Sequence, residues 1–191
     1  MNNLYPIFLK TEQLNFLIVG GGNVAYEKLF FIMKSSPNTK ATVVAPLIRD
    51  EVRELATRHS IELIEDVYAP SYLDGRHIVI ATTDRPEVNR QVYEDARARQ
   101  LLVNVADTPE LCDLYLGGIV TKGNLKIAIS TNGKSPTLAK RLRQLFESIF
   151  PDDIDQLLQN LHRYRSTLKL SFEEKVDRMN ELTQELIENN D

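Results

Sequence analysis

Short hydrophobic runs alternate with longer stretches of regularly placed apolar residues over positions 1–112. The run at 77–83 is almost wholly apolar, which is typical of a strand buried on both faces. The intervening stretches predict helices at 23–34, 49–58 and 86–100. Strands alternating with helices predict an α/β fold with a Rossmann-type, doubly wound and mostly parallel sheet. The five strands are expected at 16–19, 40–45, 61–68, 77–83 and 101–106.

The pattern changes near residue 113. Two apolar runs at 114–121 and 125–131 are separated by a Lys-Gly-Asn triplet, which predicts a β-hairpin. Ser135 and Pro136 are typical of a helix start, and the apolar face of that helix is Leu138, Leu142, Leu145, Phe146 and Ile149. A hairpin and one helix bury little apolar surface alone. This segment therefore packs on the first domain or on a second chain, and we favour a second chain.

Residues 151–191 predict charged amphipathic helices. Ser171 and Glu174 form a capping box that starts the last helix, whose apolar stripe comprises Val176, Met179, Leu182 and Leu186. The polar face mixes acidic with basic residues, so we interpret the tail as a helical appendage and not as a membrane-surface segment. Three parts are predicted: a Rossmann domain at 1–112, a dimerisation segment at 113–150 and a C-terminal helical domain at 151–191.

Composition narrows the classes of protein. The chain has 191 residues, of which 42% are hydrophobic and 26% charged, with a net charge of −4. This charge gives no reason to expect nucleic acid or an anionic membrane as a partner. No apolar segment reaches the ~20 residues that span a bilayer, and no signal peptide is expected. Cys112 is the only cysteine, so an internal disulfide is excluded and a cytoplasmic location is expected.

The first strand runs into three glycines, Gly20, Gly21 and Gly22, and a helix follows at once. With Ala25 they form the G-x-G-x-x-A dinucleotide fingerprint. The first glycine allows a tight turn, Gly22 lets the backbone approach a pyrophosphate, and the small alanine lets helix and strand pack closely. The amides of the first helical turn then face the phosphates. The alternative is a glycine turn that serves packing alone.

The end of the second strand lacks a residue that such sites usually contain. An acid about 20 residues past the glycines normally binds the ribose hydroxyl of NAD. Pro46 and Leu47 occupy this position, and Arg49 is the nearest basic residue. Backbone groups and apolar contacts would therefore hold the adenosine, and the choice between NAD and NADP is weakly specified.

Polar residues cluster where the fourth and fifth strands end, at Thr82, Thr83, Asn104 and Asp107. Ligands of doubly wound sheets bind outside the carboxyl ends of the strands. Asp107 follows an apolar run, so we expect it to be partly buried and to act as a general base; the alternative is that it caps the next turn. The two threonines are candidate hydroxyl donors to the same cleft, or strand-end caps. Asn104 is a candidate substrate contact.

The segment 130–136, STNGKSP, is a polar loop leading into a helix N-terminus, which suits an anion. Ser130, Lys134, Ser135 and Arg141 are candidate substrate contacts; the alternative is a solvated helix face. Metal ligation has poor support because the three histidines lack ligand spacing. Cys112 is interpreted as a small buried residue and not as a nucleophile.

Several segments occur together and in the order of a known family, namely LYPIFL, LIVGGGNVAYEK, TVVAP, IATTD, VNVADTPELCDLY and LKIAISTNGKSPTLAKRLR. They resemble precorrin-2 dehydrogenase, the N-terminal module of siroheme synthase and its stand-alone relatives, over roughly residues 4–150. The resemblance implies a homodimer that uses NAD⁺ to oxidise the tetrapyrrole precorrin-2 to sirohydrochlorin. Some members of the family also insert Fe²⁺. The alternatives are a non-catalytic NAD-binding redox regulator and a tetrapyrrole carrier.

The resemblance also assigns roles to residues. NAD contacts of the family fall on Gly20–Gly22, Asn23 and Val24, and on Pro46 and Leu47, which accounts for the missing acid. The essential aspartate matches Asp107. A serine that is phosphorylated in some fused enzymes aligns with Thr131, so that modification is not expected. Leu116-Gly117-Gly118 stands where similar sequences commonly have Phe-Pro-Ala, a change that bears on the hairpin or the cleft wall.

Overall fold

The computed structural model describes residues 2–184. Five strands and three helices alternate through the first part of the chain, which confirms the predicted α/β organisation. The strands are β1 (Asn15–Val19), β2 (Lys40–Val44), β3 (Glu62–Ile64), β4 (Ile78–Ala81) and β5 (Leu102–Val105). The helices are α1 (Asn23–Ser35), α2 (Asp50–His59) and α3 (Pro86–Ala98). Short 3₁₀ turns lie at Thr11–Gln13, Pro70–Leu73 and Pro109–Leu111.

The five strands form one parallel sheet in the order β3-β2-β1-β4-β5. The chain adds β2 and β3 on one side of β1, and then crosses over to add β4 and β5 on the other side. The register places Val19 beside both Val44 and Ala81, and Ala81 beside Val105. The last residues of these four strands are therefore level with one another. The segments that follow them leave the same edge of the sheet, where ligands of doubly wound folds bind.

Both faces of this sheet are covered. Alternate residues such as Phe16, Ile18 and Val43 pack against α1 and α2, and the residues between them, such as Leu17 and Val44, pack against the α3 side. This two-sided burial is the reason that the strand sequences are continuous apolar runs. Buried residues on the helices are Ala25, Leu29 and Met33 of α1, Val52, Leu55 and Ala56 of α2, and Val92 and Ala96 of α3.

The third strand is shorter than the predicted 61–68. It pairs with β2 at three residues only, and β2 ends at Val44 opposite Ile64. The chain then turns at Asp66, whose carboxylate accepts hydrogen bonds from the Val67 amide (2.7 Å) and the Tyr72 hydroxyl (2.7 Å). The edge strand has no pairing partner beyond Ile64, and the chain leaves the sheet at Glu65 and Asp66.

The predicted hairpin is present as β6 (Gly118–Lys122) and β7 (Leu125–Ile129), which form a separate two-stranded sheet. The first strand begins later than predicted, because Leu114 and Leu116 lie against the core that contains α1 and are not part of the hairpin. Helices α4 (Pro136–Ile149), α5 (Ile154–Thr167) and α6 (Phe172–Thr183) follow.

The described residues divide into two compact units, one with residues 2–118 and 130–139 and the other with 119–129 and 140–184. Within the second unit the hairpin packs on the same chain, where Asp155 of α5 accepts hydrogen bonds from the backbone (2.7 Å) and side chain (2.8 Å) of Asn124. Lys122 pairs with Asp152. The hairpin thus has a packing partner in the C-terminal helices of its own chain, which the sequence analysis did not predict. Its contact with a second chain stays a prediction. The domain boundaries after 112 and 150 stay predictions.

Both predicted helix caps are confirmed. The Ser135 hydroxyl accepts a hydrogen bond from the Leu138 amide (3.2 Å), and Ser171 forms the reciprocal capping box with Glu174. Leu186 of the predicted stripe lies outside the described residues. Over the part of the chain that the structure describes, no helix combines the length and apolar character needed to cross a membrane.

Candidate dinucleotide site and the Asp107 turn

Gly20 makes the turn that ends β1. Its φ of +122° belongs to a region that residues with a side chain rarely adopt, and a Cβ there would stand 2.5 Å from the Thr82 Oγ1. The Gly20 amide donates to the Val44 carbonyl (2.9 Å). The first glycine of the fingerprint is therefore required by backbone conformation and by its neighbour on β4.

The middle glycine brings the segment after β2 against the loop. A Cβ on Gly21 would collide with the Leu47 carbonyl, and the Gly21 carbonyl accepts a hydrogen bond from the Arg49 amide (3.0 Å). Leu47 itself is 79% exposed. Pro46 and Leu47 thus lie next to the glycine loop, at the position where an adenosine would need contacts.

Gly22 and the start of α1 have open space in front of them. A Cβ on Gly22 would meet no atom within 4 Å, and Gly22 as N-cap offers no side-chain hydrogen bond to the first turn of the helix. Asn23 and Val24 are not buried, whereas Ala25 is fully buried against the strand. Uncapped helix amides beside an open glycine backbone fit the pyrophosphate of a dinucleotide.

Thr82 is committed to the protein interior. Its amide (2.8 Å) and hydroxyl (3.0 Å) both donate to the Val19 carbonyl, and the side chain is buried under Gly20. The proposed role as a hydroxyl donor to the cleft is therefore replaced by the alternative, a strand-end contact that supports the glycine turn.

Thr83 is held by a residue that sequence reasoning missed. Asn89, 8% exposed, accepts from the Thr83 amide (3.1 Å) and hydroxyl (2.7 Å), and its own amide donates to the Thr83 carbonyl (2.9 Å). The sequence did contain a signal for this role, because Asn89 is a polar residue on the face of α3 that carries the buried Val92 and Ala96. Asn89 fixes the turn after β4, so the Thr83 hydroxyl is also used within the protein.

Asp107 follows β5 in a left-handed turn with φ of +58°. The side chain is exposed, which contradicts the expected partial burial. The reason is the turn itself, since the chain leaves the sheet one residue earlier, at Ala106, whose amide still donates to Ala81 (2.9 Å). Within residues 2–184 the Asp107 carboxylate has no hydrogen-bond or ion-pair partner, so the alternative that it caps the next turn is not observed.

Cys112 holds this turn together. Its sulfur lies 3.2 Å from the Val105 carbonyl and 3.4 Å from the Thr108 carbonyl, and it accepts from the Val105 amide (3.3 Å). Burial raises the pKa of the Cys112 thiol, which opposes formation of a nucleophilic thiolate. Cys112 is half-buried and not fully buried as expected, and its contacts support the interpretation that it is not a nucleophile.

Asn104 and Asp113 form hydrogen bonds that join β5 to the segment around residues 113 and 114. Asn104, 6% exposed, donates to the Leu114 carbonyl (2.8 Å). Asp113 accepts from the Val103 amide (3.1 Å) and from Arg97 (2.8 Å). The expected substrate contact of Asn104 stays a prediction, but its amide is already used to position the segment behind Asp107.

The loop 130–135 is built by its own side chains. The Thr131 hydroxyl donates to the Ser135 carbonyl (3.1 Å) and accepts from the Ser135 amide (3.2 Å), and Ser130 accepts from the Asn132 amide (3.1 Å). Lys134 is exposed, and its side chain has no hydrogen-bond or ion-pair partner within the described residues. Arg141 belongs to the second unit and donates to Gln144 (3.1 Å). Substrate contacts by this set stay predictions.

Arg49 carries a carboxylate partner. Glu51 accepts from its Nε (3.1 Å) and its terminal nitrogen (2.7 Å), a bidentate arrangement. The hydrogen bond from Arg49 lowers the pKa of Glu51 to about 2, so the pair is fully ionised near neutral pH. No cluster of three or more His, Cys, Asp or Glu able to hold a metal occurs among residues 2–184.

Comparison with known proteins agrees with this geometry. Residues 7–118 match the family model described as putative NAD(P)-binding, and residues 122–149 match the model described as sirohaem biosynthesis protein, central. The solved structure titled SirC, precorrin-2 dehydrogenase, superposes with a TM-score of 0.73 at 26% identity and covers 97% of this chain and 90% of that one.

Named relatives include two siroheme synthases. That of Psychrobacter arcticus is 37% identical over 167 residues, which is 87% of this chain and 30% of the relative. That of Pseudoalteromonas translucida is 36% identical over 173 residues, 91% of this chain and 36% of the relative. The chain thus spans about a third of the length of these relatives. It belongs to the NAD(P)-binding family of the first model, and its resemblance to the precorrin-2 dehydrogenase module of siroheme synthases is confirmed.

Proposed function

We propose that this chain oxidises precorrin-2 to sirohydrochlorin with NAD⁺ as hydride acceptor. The observation that carries the proposal is the exposed, unpartnered Asp107 carboxylate at the edge of the sheet from which the glycine loop also leaves. β5 lies two strands from β1, which places the two turns about 10 Å apart along the sheet. The family match and the likeness to SirC support the same assignment.

The reaction removes a hydride and a proton from the macrocycle. NAD⁺ supplies the acceptor for the hydride when bound. The chain's own residues would bind and position the reactants: the amides of Asn23 and Val24 would hold the pyrophosphate, and the backbone around Pro46 and Leu47 would hold the adenosine. Asp107 takes the proton or orients the macrocycle, because an exposed carboxylate without a protein partner is free to accept one.

The substrate is a polycarboxylate, and its recognition needs cations and amide donors. Lys134 is the first candidate, because its ammonium group is exposed and has no partner in the described residues; the loop residues Ser130 and Ser135 are candidates with it. Arg141 is a further candidate, as is Asn104. Each would bind a carboxylate as a charged or polar donor, and none is proposed to take part in proton transfer.

We also propose that the functional form is a homodimer, and we expect it in the cytoplasm. Helix α4 has no buried residue, and Leu138, Leu145 and Ile149 on its predicted apolar face are each at least half exposed. The N-terminal segment exposes Tyr5, Ile7 and Phe8 as well. Apolar faces of this extent are typical of surfaces that bind another chain.

The test is Asp107→Asn with purified protein, NAD⁺ and precorrin-2. Asparagine tolerates the left-handed backbone almost as well as aspartate, whereas Asp107→Ala would also strain the turn. Loss of a general base predicts a fall in NADH formation of at least ~10²-fold, with the Kd for NAD⁺ unchanged by calorimetry. Turnover like that of the original chain would contradict the role of Asp107.

The same preparation separates the alternatives. A redox regulator would bind NAD⁺ but neither bind nor oxidise precorrin-2, and a carrier would bind the tetrapyrrole without forming NADH. Asp107 is also the candidate base for a second reaction, insertion of Fe²⁺ into sirohydrochlorin, in which pyrrole protons leave. Addition of Fe²⁺ to sirohydrochlorin, followed by its visible spectrum, tests that activity independently of NAD⁺.

A further inference from the structure

Arg49 lies close to the end of β2, where Rossmann sites usually bind the adenosine ribose. Its amide donates to the Gly21 carbonyl in the middle of the glycine loop, and it is the N-cap residue of α2, directly after the segment that replaces the usual ribose-binding acid. A basic residue near this place in a Rossmann site accommodates the 2′-phosphate of NADP. By position alone, Arg49 would make the site suitable for NADP.

The charge of Arg49 is nevertheless already compensated. Glu51 accepts two hydrogen bonds from the guanidinium, at 2.7 and 3.1 Å. Such a bidentate pair fills the Nε edge of the guanidinium fork, which is one of the two edges that can bind a phosphate. A 2′-phosphate would therefore have to displace Glu51 or approach its negative charge.

The next basic residue on α2 does not replace Arg49. Arg53 donates to the Ile48 carbonyl (3.2 Å) and to Glu65 (2.8 Å). Its guanidinium is thus drawn toward the residue that follows β3. Both arginines near the end of β2 have carboxylate partners, and these acids would repel a further anion.

We propose that Glu51 determines cofactor specificity by holding Arg49 away from a 2′-phosphate, so that the site selects NAD⁺ over NADP⁺. The proposal rests on the dinucleotide site of the proposed function and deepens it. It assigns to Glu51 the discrimination that the acid at the end of β2 performs in other Rossmann sites, by a different route: the acid excludes the phosphate through the arginine instead of binding the ribose.

The test measures Kd for NAD⁺ and NADP⁺ by calorimetry with the full chain and four variants, E51Q, R49Q, the double variant R49Q/E51Q and E54Q. Glu54 is an exposed acid one turn further along α2, so E54Q makes the same charge change without touching Arg49. Release of one unit charge near the phosphate predicts roughly tenfold tighter NADP⁺ binding for E51Q. The Kd for NAD⁺ should change less than about twofold.

Two results would overturn the proposal. One is an E51Q variant whose Kd for NADP⁺ matches that of E54Q, which would make the ion pair a helix-stabilising contact only. The other is a gain that persists in R49Q/E51Q, because the effect would then be general repulsion and not the release of Arg49. The measurement uses nucleotides alone, so a chain that binds NAD⁺ but fails to oxidise precorrin-2 still decides the role of Glu51.

Discussion

The unit that contains the five-stranded sheet (residues 2–118 and 130–139, here the sheet unit) differs from the helices that follow the hairpin in how many of its apolar side chains are buried within the chain. The large side chains that are fully buried, such as Leu17, Leu29 and Ile80, belong to the sheet unit. Helices α4, α5 and α6 have no buried residue in their described parts, although their amphipathic patterns are as regular. Regular spacing therefore predicts a helix, but it does not say whether the apolar face finds a partner within the chain.

The sharpest contrast is between Leu29 of α1 and Leu145 of α4. Leu29→Ala leaves a cavity in a closed core and should lower the free energy of unfolding by about 3 kcal/mol. Leu145 is 50% exposed, so Leu145→Ala should change it by at most about 0.5 kcal/mol in a dilute monomer. Urea titrations at low and high protein concentration measure both.

The concentration series also tests the dimer. If α4 contributes to a homodimer, the unfolding midpoint rises with protein concentration, and Leu145→Ala reduces that rise while Leu29→Ala leaves it. A midpoint independent of concentration, with a single-chain mass by sedimentation, would contradict the homodimer.

Within the sheet unit, the glycines should differ among themselves. Gly20→Ala introduces both a strained φ and a contact with Thr82, and should cost roughly 2 kcal/mol of stability. Gly22 has an ordinary φ of −91° and open space around it, so Gly22→Ala should stay within about 1 kcal/mol. If Gly22 binds the dinucleotide as proposed, the change should instead weaken NAD⁺ binding, because the new methyl group would enter the space expected for the pyrophosphate. Thermal unfolding and calorimetry separate the two effects.

A smaller effect is expected at the edge of the same unit. Cys112→Ala removes the group that the Val105 amide and carbonyl use, and should cost about 1 kcal/mol. Cys112→Ser keeps a donor and an acceptor and should recover part of this loss. Hydrogen exchange at Val105 and Thr108 reports the turn directly. Protection in Cys112→Ala equal to that of the original chain would show that the sulfur does not stabilise the turn.

The smallest effect concerns the contact between hairpin and α5. Hydrogen bonds from the Asn124 backbone and side chain lower the pKa of Asp155 in the folded chain. Stability from this carboxylate is thus complete above the unfolded pKa of about 4 and is lost as pH falls through the lower folded value. Asp155→Asn should flatten this acid dependence of the urea midpoint. Asp177→Asn, an exposed acid on α6 without a partner in the described residues, is the control.

Most of the sheet could be predicted because two-sided burial leaves a clear trace in sequence. The strands at 40–45 and 101–106 and the helices at 23–34 and 49–58 differ from the observed elements by at most one residue at either end. The third strand was overestimated, since its end depends on where β2 stops pairing. The glycine loop was foreseen from spacing. The strand-end role of Thr82 was foreseen only as one of two alternatives and that of Asn89 not at all, because their partners are distant or buried.

The sequence by itself determined the alternation of elements, the dinucleotide fingerprint and the caps at Ser135 and Ser171, and its family resemblance led to the prediction that Asp107 is essential. These depend on local chemistry and short spacings. Only the tertiary structure decided that Asp107 is exposed in a left-handed turn, that Thr82 packs against Gly20 and that Glu51 accepts two hydrogen bonds from Arg49. Each of these depends on which backbone atoms neighbouring segments bring within hydrogen-bonding reach, and that proximity is set by strand register and loop closure.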